Sequence, residues 1–247
     1  MTEIQSAYFV LSLCLLEGLL HLGFWKHVQW QTDLLHFLFT PKIVLWIHVY
    51  LMAPLGALLL SLLPPMDSPG SLTWFDLIWL WPIADFCGYL VHWLQHKIPF
   101  LWRLHRVHHS STPLNTLAGS RSHPIDSVLQ QAFWYLPFFL YAYKDGTLDA
   151  EEGLIILTAA TVYLVHVVMI HFAFPIGKSI EWLITTPSFH HRHHSINARG
   201  NYGLQLTIWD KIFKTAVADR SPVMEYGITP SLPLDWLKHL FPPPAKD

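Results

Sequence analysis

Five long apolar runs, each close to the ~20 residues a helix needs to cross a bilayer, constrain this chain more than any other feature. They cover residues 7–24, 42–63, 73–91, 128–143 and 153–174. Peptide groups in hydrocarbon have no water to bond, so runs of this kind are expected to be helices. The expected fold is therefore all-α: a polytopic membrane helix bundle of about four to six spans carrying a helical cap on one side. Composition agrees, with 52% apolar and only 13% charged residues, roughly half the charge of a soluble domain. The first run has no basic leader and contains Glu17 and His21, so it reads as a retained span rather than a signal peptide. The fourth is short and contains Pro137, so it is expected to tilt or dip. With no repeats, linkers or second apolar core, residues 1–247 are expected to form a single membrane domain.

Charge placement orients the bundle. If the chain crosses at every run, Lys144 stands alone on one side with a set of carboxylates, and every other Lys and Arg lies on the opposite side. Such an excess marks the cytoplasmic face. The net charge of −2 gives no sign of nucleic-acid binding. Cys14 and Cys87 both sit in apolar runs, which argues against a disulfide framework and against thiolate chemistry.

On that same face fall three blocks of histidine: His92-x-x-x-His96, His105-x-x-His108-His109 and His190-x-x-His193-His194. With 17 His in 247 residues, chance predicts roughly 0.08 matches to H-x-x-H-H. The chain has two, so a polynuclear metal site is the better explanation. Residues three or four apart share a helical face. The first His of each H-x-x-H-H block is thus expected to pair with the fourth and fifth, and the adjacent pair, about 100° apart, to serve two ions. Eight or nine imidazoles are too many for one zinc. They suit two six-coordinate ions with room for oxygen or solvent. Ligand type alone leaves Zn, Cu, Fe and Ni open; a histidine-rich, oxygen-exposed site facing the cytoplasm favours two irons.

His171, late on the fifth run, is placed to be a ninth ligand. His166, five residues earlier, is off that face. His123 is expected to orient ligands from behind or to close over the site. His21, His27, His36, His48 and His239 lie outside any block and read as interfacial. Asp85, two turns before His92, is placed either to hydrogen-bond within the site or to hold a polar interface.

The order of these blocks resembles the fatty acid hydroxylase/sterol desaturase superfamily, as do Arg121-x-His123-Pro124, Thr186-Pro187, Asn201-Tyr202-Gly203, Trp209-Asp210 and Phe213. The resemblance covers residues 80–216, which it marks as the catalytic region. It implies an integral-membrane di-iron enzyme whose ligand roles fall on His92, His96, His105, His108, His109, His190, His193 and His194. Two positions depart from the family pattern: Phe172-Ala173 follow His171 where Asn is usual two residues on, and Lys214 replaces the usual Gly before Thr215. The implied activity is O2-dependent hydroxylation or desaturation of an unactivated C–H bond in a membrane lipid, such as a sterol, fatty acyl chain or alkylglycerol. The sequence carries no haem, flavin or iron–sulfur motif, so electrons are expected from a separate ferredoxin or cytochrome type of protein. Arg103, Arg106, Arg192 and Arg199 are candidates to dock it. Two other readings make different demands. A membrane zinc hydrolase would need a carboxylate base within the blocks, where none stands. A metal transporter would place its ligands along the membrane pathway.

Overall fold

A computed structural model describes residues 12–18, 29–62, 71–142, 149–196, 199–219 and 221–244. Among them the structure is helical, with two isolated bridges in place of any sheet. The elements are α1 (12–18), α2 (Trp30–Ile47), α3 (Ala53–Ser61), α4 (Leu77–Lys97), α5 (Pro99–His105), α6 (Pro124–Ala142), α7 (Ala150–Met169), α8 (Pro187–His193), α9 (Ile208–Ile212) and α10 (Trp236–His239). A turn of π-helix, His48–Met52, joins α2 to α3 without a break in direction. Three helical stretches are long and apolar enough to cross a membrane: Trp30–Leu59, Trp74–Lys97 and Ala150–Met169. The protein is an integral membrane protein.

The expected second span starts twelve residues too late. Thr32, Asp33, His36 and Thr40 make the start of α2 look like a polar interface, but all four are buried against the protein, while Leu45, Trp46, Tyr50, Leu51 and Leu58 face outward. Pro41 is accommodated inside the helix. The expected first span lies mostly outside the described residues; only 12–18 are seen, and they are helical. α6 is not among the helices apolar enough to span, since its first half carries Asp126, Ser127, Gln130 and Gln131. It nonetheless runs antiparallel to α4 end to end. Gln95 Nε2 donates to Asp126 at 2.7 Å near one end, and Tyr141 O–H donates to Asp76 at 3.0 Å at the other.

The core between α4, α6 and α7 is built on Leu80, Ala84, Trp134, Phe138, Ile155 and Tyr163. Trp134 is fully buried and stacks on Tyr163 with ring centroids 4.4 Å apart. Gly88 lets α6 approach, because a Cβ there would meet Gln130 Nε2 at 3.2 Å and Trp134 at 3.4 Å. At the end remote from the histidines, Asp149 and Glu152 form a reciprocal capping box for α7. Glu152 also accepts the Leu72 N–H at 2.9 Å, tying α7 to the entry of α4.

Two prolines cut the short helices of the cap. Ile98 takes an extended conformation (φ −93°, ψ 119°), as a residue before proline prefers, and Pro99 starts α5 at its first position. α4 therefore stops just after His96, and α5 carries His105 back over it. Thr186-Pro187 repeats the device: the Thr186 hydroxyl accepts the Phe189 N–H at 3.3 Å and starts α8 four residues before His190.

Candidate metal centre

Nine imidazoles meet where α4, α5, α7 and α8 end, and they sort into two groups. His92, His96, His105, His109 and His193 form one; His108, His171, His190 and His194 form the other. In each group one ring nitrogen per residue lies within 4.8 Å of all the rest. The groups abut, with the His109 and His194 rings stacked at 4.3 Å. All eight histidines singled out by spacing fall in these groups, and His171, singled out by its place late on the fifth apolar run, joins the second.

The sorting follows a simple rule. His92 and His96, His105 and His109, and His190 and His194 are each four apart and share a group. His108 and His193, three residues after the first His of their block, cross to the other group. The expectation that the fourth position would pair with the first is thus corrected. On a helix it stands about 100° from the fifth and aims at a different centre. In the second block α5 has also ended, and His108 and His109 lie on a 3-10 turn, His108–Ser110.

The hydrogen bonds behind the rings decide which nitrogen is bare. His92 Nδ1–H donates to the Tyr202 carbonyl (2.8 Å), His193 Nδ1–H to that of Gly200 (2.8 Å), His108 Nδ1–H to that of Arg121 (3.0 Å) and His171 Nδ1–H to that of Val167 (2.7 Å). His105 Nδ1–H donates to Asp126 Oδ2 at 3.0 Å. A neutral imidazole carries one N–H, so Nε2 of each is an unprotonated acceptor. In the first group Nε2 of His96, His105, His109 and His193 is buried with no partner. In the second, His108 Nε2 faces His171 Nε2 at 3.2 Å, which is lone pair against lone pair. His171 Nε2 in turn lies 3.0 Å from His190 Nε2, and that atom 3.0 Å from His194 Nε2. The bare acceptors of His108 and His171, packed this closely, repel one another unless a cation lies between them. The donor set fits transition-metal ions.

Burial keeps the rings neutral, the form in which an imidazole can bind a metal. Burial pushes the His105 imidazole down to about 3 and that of His108 to about 4. It carries His109, His190, His193 and His194 well below the ordinary value, with the neighbouring imidazoles adding to the shift. All are neutral at pH 7. Burial also raises the Asp126 carboxyl, against a downward pull from the nearby histidines and Gln95.

Spacing alone did not disclose what stands behind the clustered histidines. Asp126 is 21 residues from His105 in sequence and meets it only because α6 starts beside α5. Asp210 accepts the N–H of Tyr202 (2.8 Å) and Gly203 (2.7 Å) and the Thr215 hydroxyl (2.6 Å). It thereby fixes the loop whose carbonyls take the His92 and His193 protons. Asp85 holds the next stretch, accepting from Gln205 N (3.1 Å), Leu206 N (3.0 Å) and Trp209 Nε1 (2.9 Å). Of the two roles open to Asp85, the structure gives it the interface. Arg121, buried, presents its carbonyl to His108 while its guanidinium pairs with Asp33 at 2.6 Å. His191, inside the third block, belongs to neither group: its Nε2–H donates to the Phe172 carbonyl at 2.9 Å, and its Nδ1 accepts the Tyr226 hydroxyl at 2.7 Å.

Other expectations need correcting. His123 lies in neither group. Its Nε2–H donates to the Leu240 carbonyl at 3.1 Å, so it ties the chain's last segment to the start of α6. The residues of its stretch that orient histidines of the two groups are Arg121, behind His108, and Asp126, behind His105. His166 lies in neither group. His36 and His239 are not interfacial: both are buried, and His36 Nε2–H donates to His239 Nδ1 at 2.9 Å. Of the four arginines expected to dock a partner, Arg192 is buried against Glu181 at 2.9 Å, and Arg106 is buried as well. Neither can present charge to a docking protein.

The profile of the fatty acid hydroxylase family matches residues 77–215. The alkylglycerol monooxygenase of Xenopus tropicalis is 30% identical over 169 residues, covering 67% of this chain and 34% of that protein. The ornithine lipid hydroxylase OlsE of Rhizobium tropici is 31% identical over 165 residues, 65% of this chain and 48% of that protein. Methylsterol monooxygenase 1 of Danio rerio is 28% identical over 137 residues, 54% of this chain and 44% of that protein. The chain thus spans a third to a half of the length of these relatives. No solved structure matches it. More than half the chain, including every histidine of both groups, falls within the profile: the protein belongs to the fatty acid hydroxylase/sterol desaturase superfamily.

Proposed function

We propose that the protein is an O2-dependent di-iron lipid hydroxylase. His92, His96, His105, His109 and His193 hold one iron, and His108, His171, His190 and His194 the other. The catalytic region is residues 80–216 within a single membrane domain. The observation that carries this reading is the pair of abutting all-imidazole groups with their bare Nε2 atoms turned inward. In both groups the ligating residues are histidines alone, without the carboxylate a zinc hydrolase would use as base. The relatives named for alkylglycerol, ornithine lipid and methylsterol are monooxygenases or hydroxylases, which favours oxygen insertion over desaturation and a membrane lipid as substrate.

Bound iron would supply the oxidising power from O2 that an unactivated C–H bond demands. The chain's own part is preparation. Neutral imidazoles present Nε2; the Tyr202, Gly200, Arg121 and Val167 carbonyls and Asp126 lock the opposite nitrogens as donors; and burial keeps water from the ring faces. Hydroxylation turns C–H and O2 into C–OH and water, and so consumes two electrons and two protons. With no redox motif in the sequence, these electrons come from a separate ferredoxin- or cytochrome-type protein. The site faces the cytoplasm, a placement supported by the lysines and arginines gathered on its side of the bundle.

The test is turnover in lipid vesicles with iron, a reductant and isotopically labelled O2, read by untargeted lipid mass spectrometry. A product that gains one labelled oxygen is expected. Loss of two hydrogens would replace hydroxylation by desaturation, and product formed without O2 or reductant would overturn the oxidative reading.

A further inference from the structure

Outside the three candidate spans, the segment at residues 176–183 and α9 expose a run of large apolar side chains. Ile176, Ile180, Trp182 (63% exposed) and Leu183 stand on the first; Ile208, Ile212 (57%) and Phe213 (51%) stand on or just after the second. The two stretches are joined. Ile184 and Leu206 form a bridge, Thr207 N–H donates to the Leu183 carbonyl at 3.1 Å, and the Lys211 ammonium donates to the Trp182 carbonyl. Lys178, Lys211 and Lys214 are exposed among them.

The position of this surface is set by its packing on α4. Phe213 stacks on Phe86 (5.9 Å between ring centroids) and Tyr89 (5.5 Å), and Trp209 lies 5.0 Å from Phe86. At ~1.5 Å per residue, Phe86 lies about 9 Å short of His92 and about 18 Å beyond Trp74 along the helix. The stretch Trp74–Lys97 is itself a candidate span. α9 therefore lies beside the membrane-crossing helix rather than beyond its end, at a depth where the hydrocarbon core of ~30 Å is not yet exhausted.

We propose that residues 176–183 and α9 form a ledge that inserts into the bilayer leaflet on the histidine side. Phospholipid acyl chains cover Ile180, Leu183, Ile208, Ile212 and Phe213. Trp182 and the lysines lie at headgroup level, where an amphipathic ring and a long cationic stem each keep one end wet. The ledge explains why a cap segment with ordered backbone bonds leaves its apolar side uncovered. It also brings the chain's third histidine block down to the acyl boundary, because the loop between the two stretches carries α8.

The experiment needs neither metal nor turnover, so its result stands apart from the proposed chemistry. A nitroxide is attached to Ile212→Cys, with Asp219→Cys as an exposed reference, in a Cys14→Ala/Cys87→Ala background. Each variant is reconstituted into vesicles of phosphatidylcholine and phosphatidylglycerol. The label at 212 is expected to collide with dissolved oxygen severalfold more than with a water-soluble nickel chelate, and the label at 219 the reverse. Equal access of the chelate to both sites would overturn the proposal, as would a short spin–spin distance showing the ledge closed by a second copy of the chain. A second label site on the other stretch, Ile180→Cys in the same background, should show the same preference for oxygen over the chelate. The reverse preference at 180 would also count against insertion.

Discussion

Gly119 packs against a proposed ligand so closely that a single methyl should cost the protein one metal ion. It lies in the 3-10 turn Ala118–Ser120, and a Cβ built on it would lie 2.7 Å from His171 Cγ and 2.8 Å from His171 Cβ. Carbon atoms pack at ~3.5–4.0 Å, so the ring would have to withdraw by about 1 Å. Metal–ligand distances hold to about 0.2 Å, so a shift of that size takes Nε2 out of bonding range. The five imidazoles of the other group are untouched. In Gly119→Ala the second group should therefore bind metal at least ~10–100-fold more weakly, the loss typical of disturbing a ligand's support. Bound metal should fall toward half the wild-type value. Overpacking of this kind costs about 1–3 kcal/mol, which leaves a measurable folded population. The assay is metal content by mass spectrometry after dialysis against a graded series of chelator, with His171→Ala alongside to remove the same ligand without crowding. A Gly119→Ala protein that keeps the full complement at the wild-type chelator resistance would refute both the proposed role of His171 and the geometry behind it.

Asp126→Ala removes the acceptor behind His105 and should weaken metal binding at the five-histidine group by ~10–100-fold in the same chelator series, with Asp126→Asn losing less because an amide oxygen still accepts. Lys214 holds φ +58°, where a Cβ is strained, so Lys214→Gly should raise stability by about 0.5–1 kcal/mol in a thermal melt; a lower melting temperature would count against the strain. Asp33→Ala strands the buried Arg121 guanidinium and should cost about 3–5 kcal/mol in denaturant titration, whereas Asp33→Leu with Arg121→Met should recover most of it; equal losses in both would show that the ion pair is not the source.

The part of the site that was legible in sequence is the part that repeats locally. Spacings of three and four residues survive any fold, so eight of the nine clustered histidines could be named from their intervals, and His171 from its place late on the fifth apolar run. What stands behind them could not, because those contacts close over long loops: Asp126 to His105, Tyr202 to His92, Arg121 to Asp33. The flanking residues Asn201, Gly203 and Asp210 carried a family signal without a reason. The reason is geometric. Asn201 takes φ +58° and its amide N–H donates to the Phe189 carbonyl at 3.0 Å, while a Cβ on Gly203 would press on the Leu206 carbonyl. The same holds for Lys214. Its place in a family pattern that prefers glycine becomes intelligible once the chain is seen to turn left-handed there. The start of the second span was misplaced for the opposite cause. Asp33 and His36 carry a polar signal, and hydropathy cannot tell a polar side chain turned to water from one turned to a buried partner.

The two groups are also not equivalent, and the difference lies behind the rings rather than in them. Behind the five-histidine group stands a carboxyl, Asp126, and two loop carbonyls; behind the four-histidine group the hydrogen bonds run to the carbonyls of Arg121 and Val167. A carboxylate accepting an Nδ1–H makes the opposite nitrogen a stronger donor than a neutral carbonyl does. On the proposed reading, the first ion would thus have more ligands and a more basic one among them. A six-coordinate ion would have one position left there and two in the second group. The second group is also the one completed by α7, through His171, which is seated against a glycine and not on a histidine block of its own. The position most open to a small molecule and the ligand most sensitive to packing would then coincide, which is why a methyl on Gly119 is the sharper probe of this site than any change to the five-histidine side.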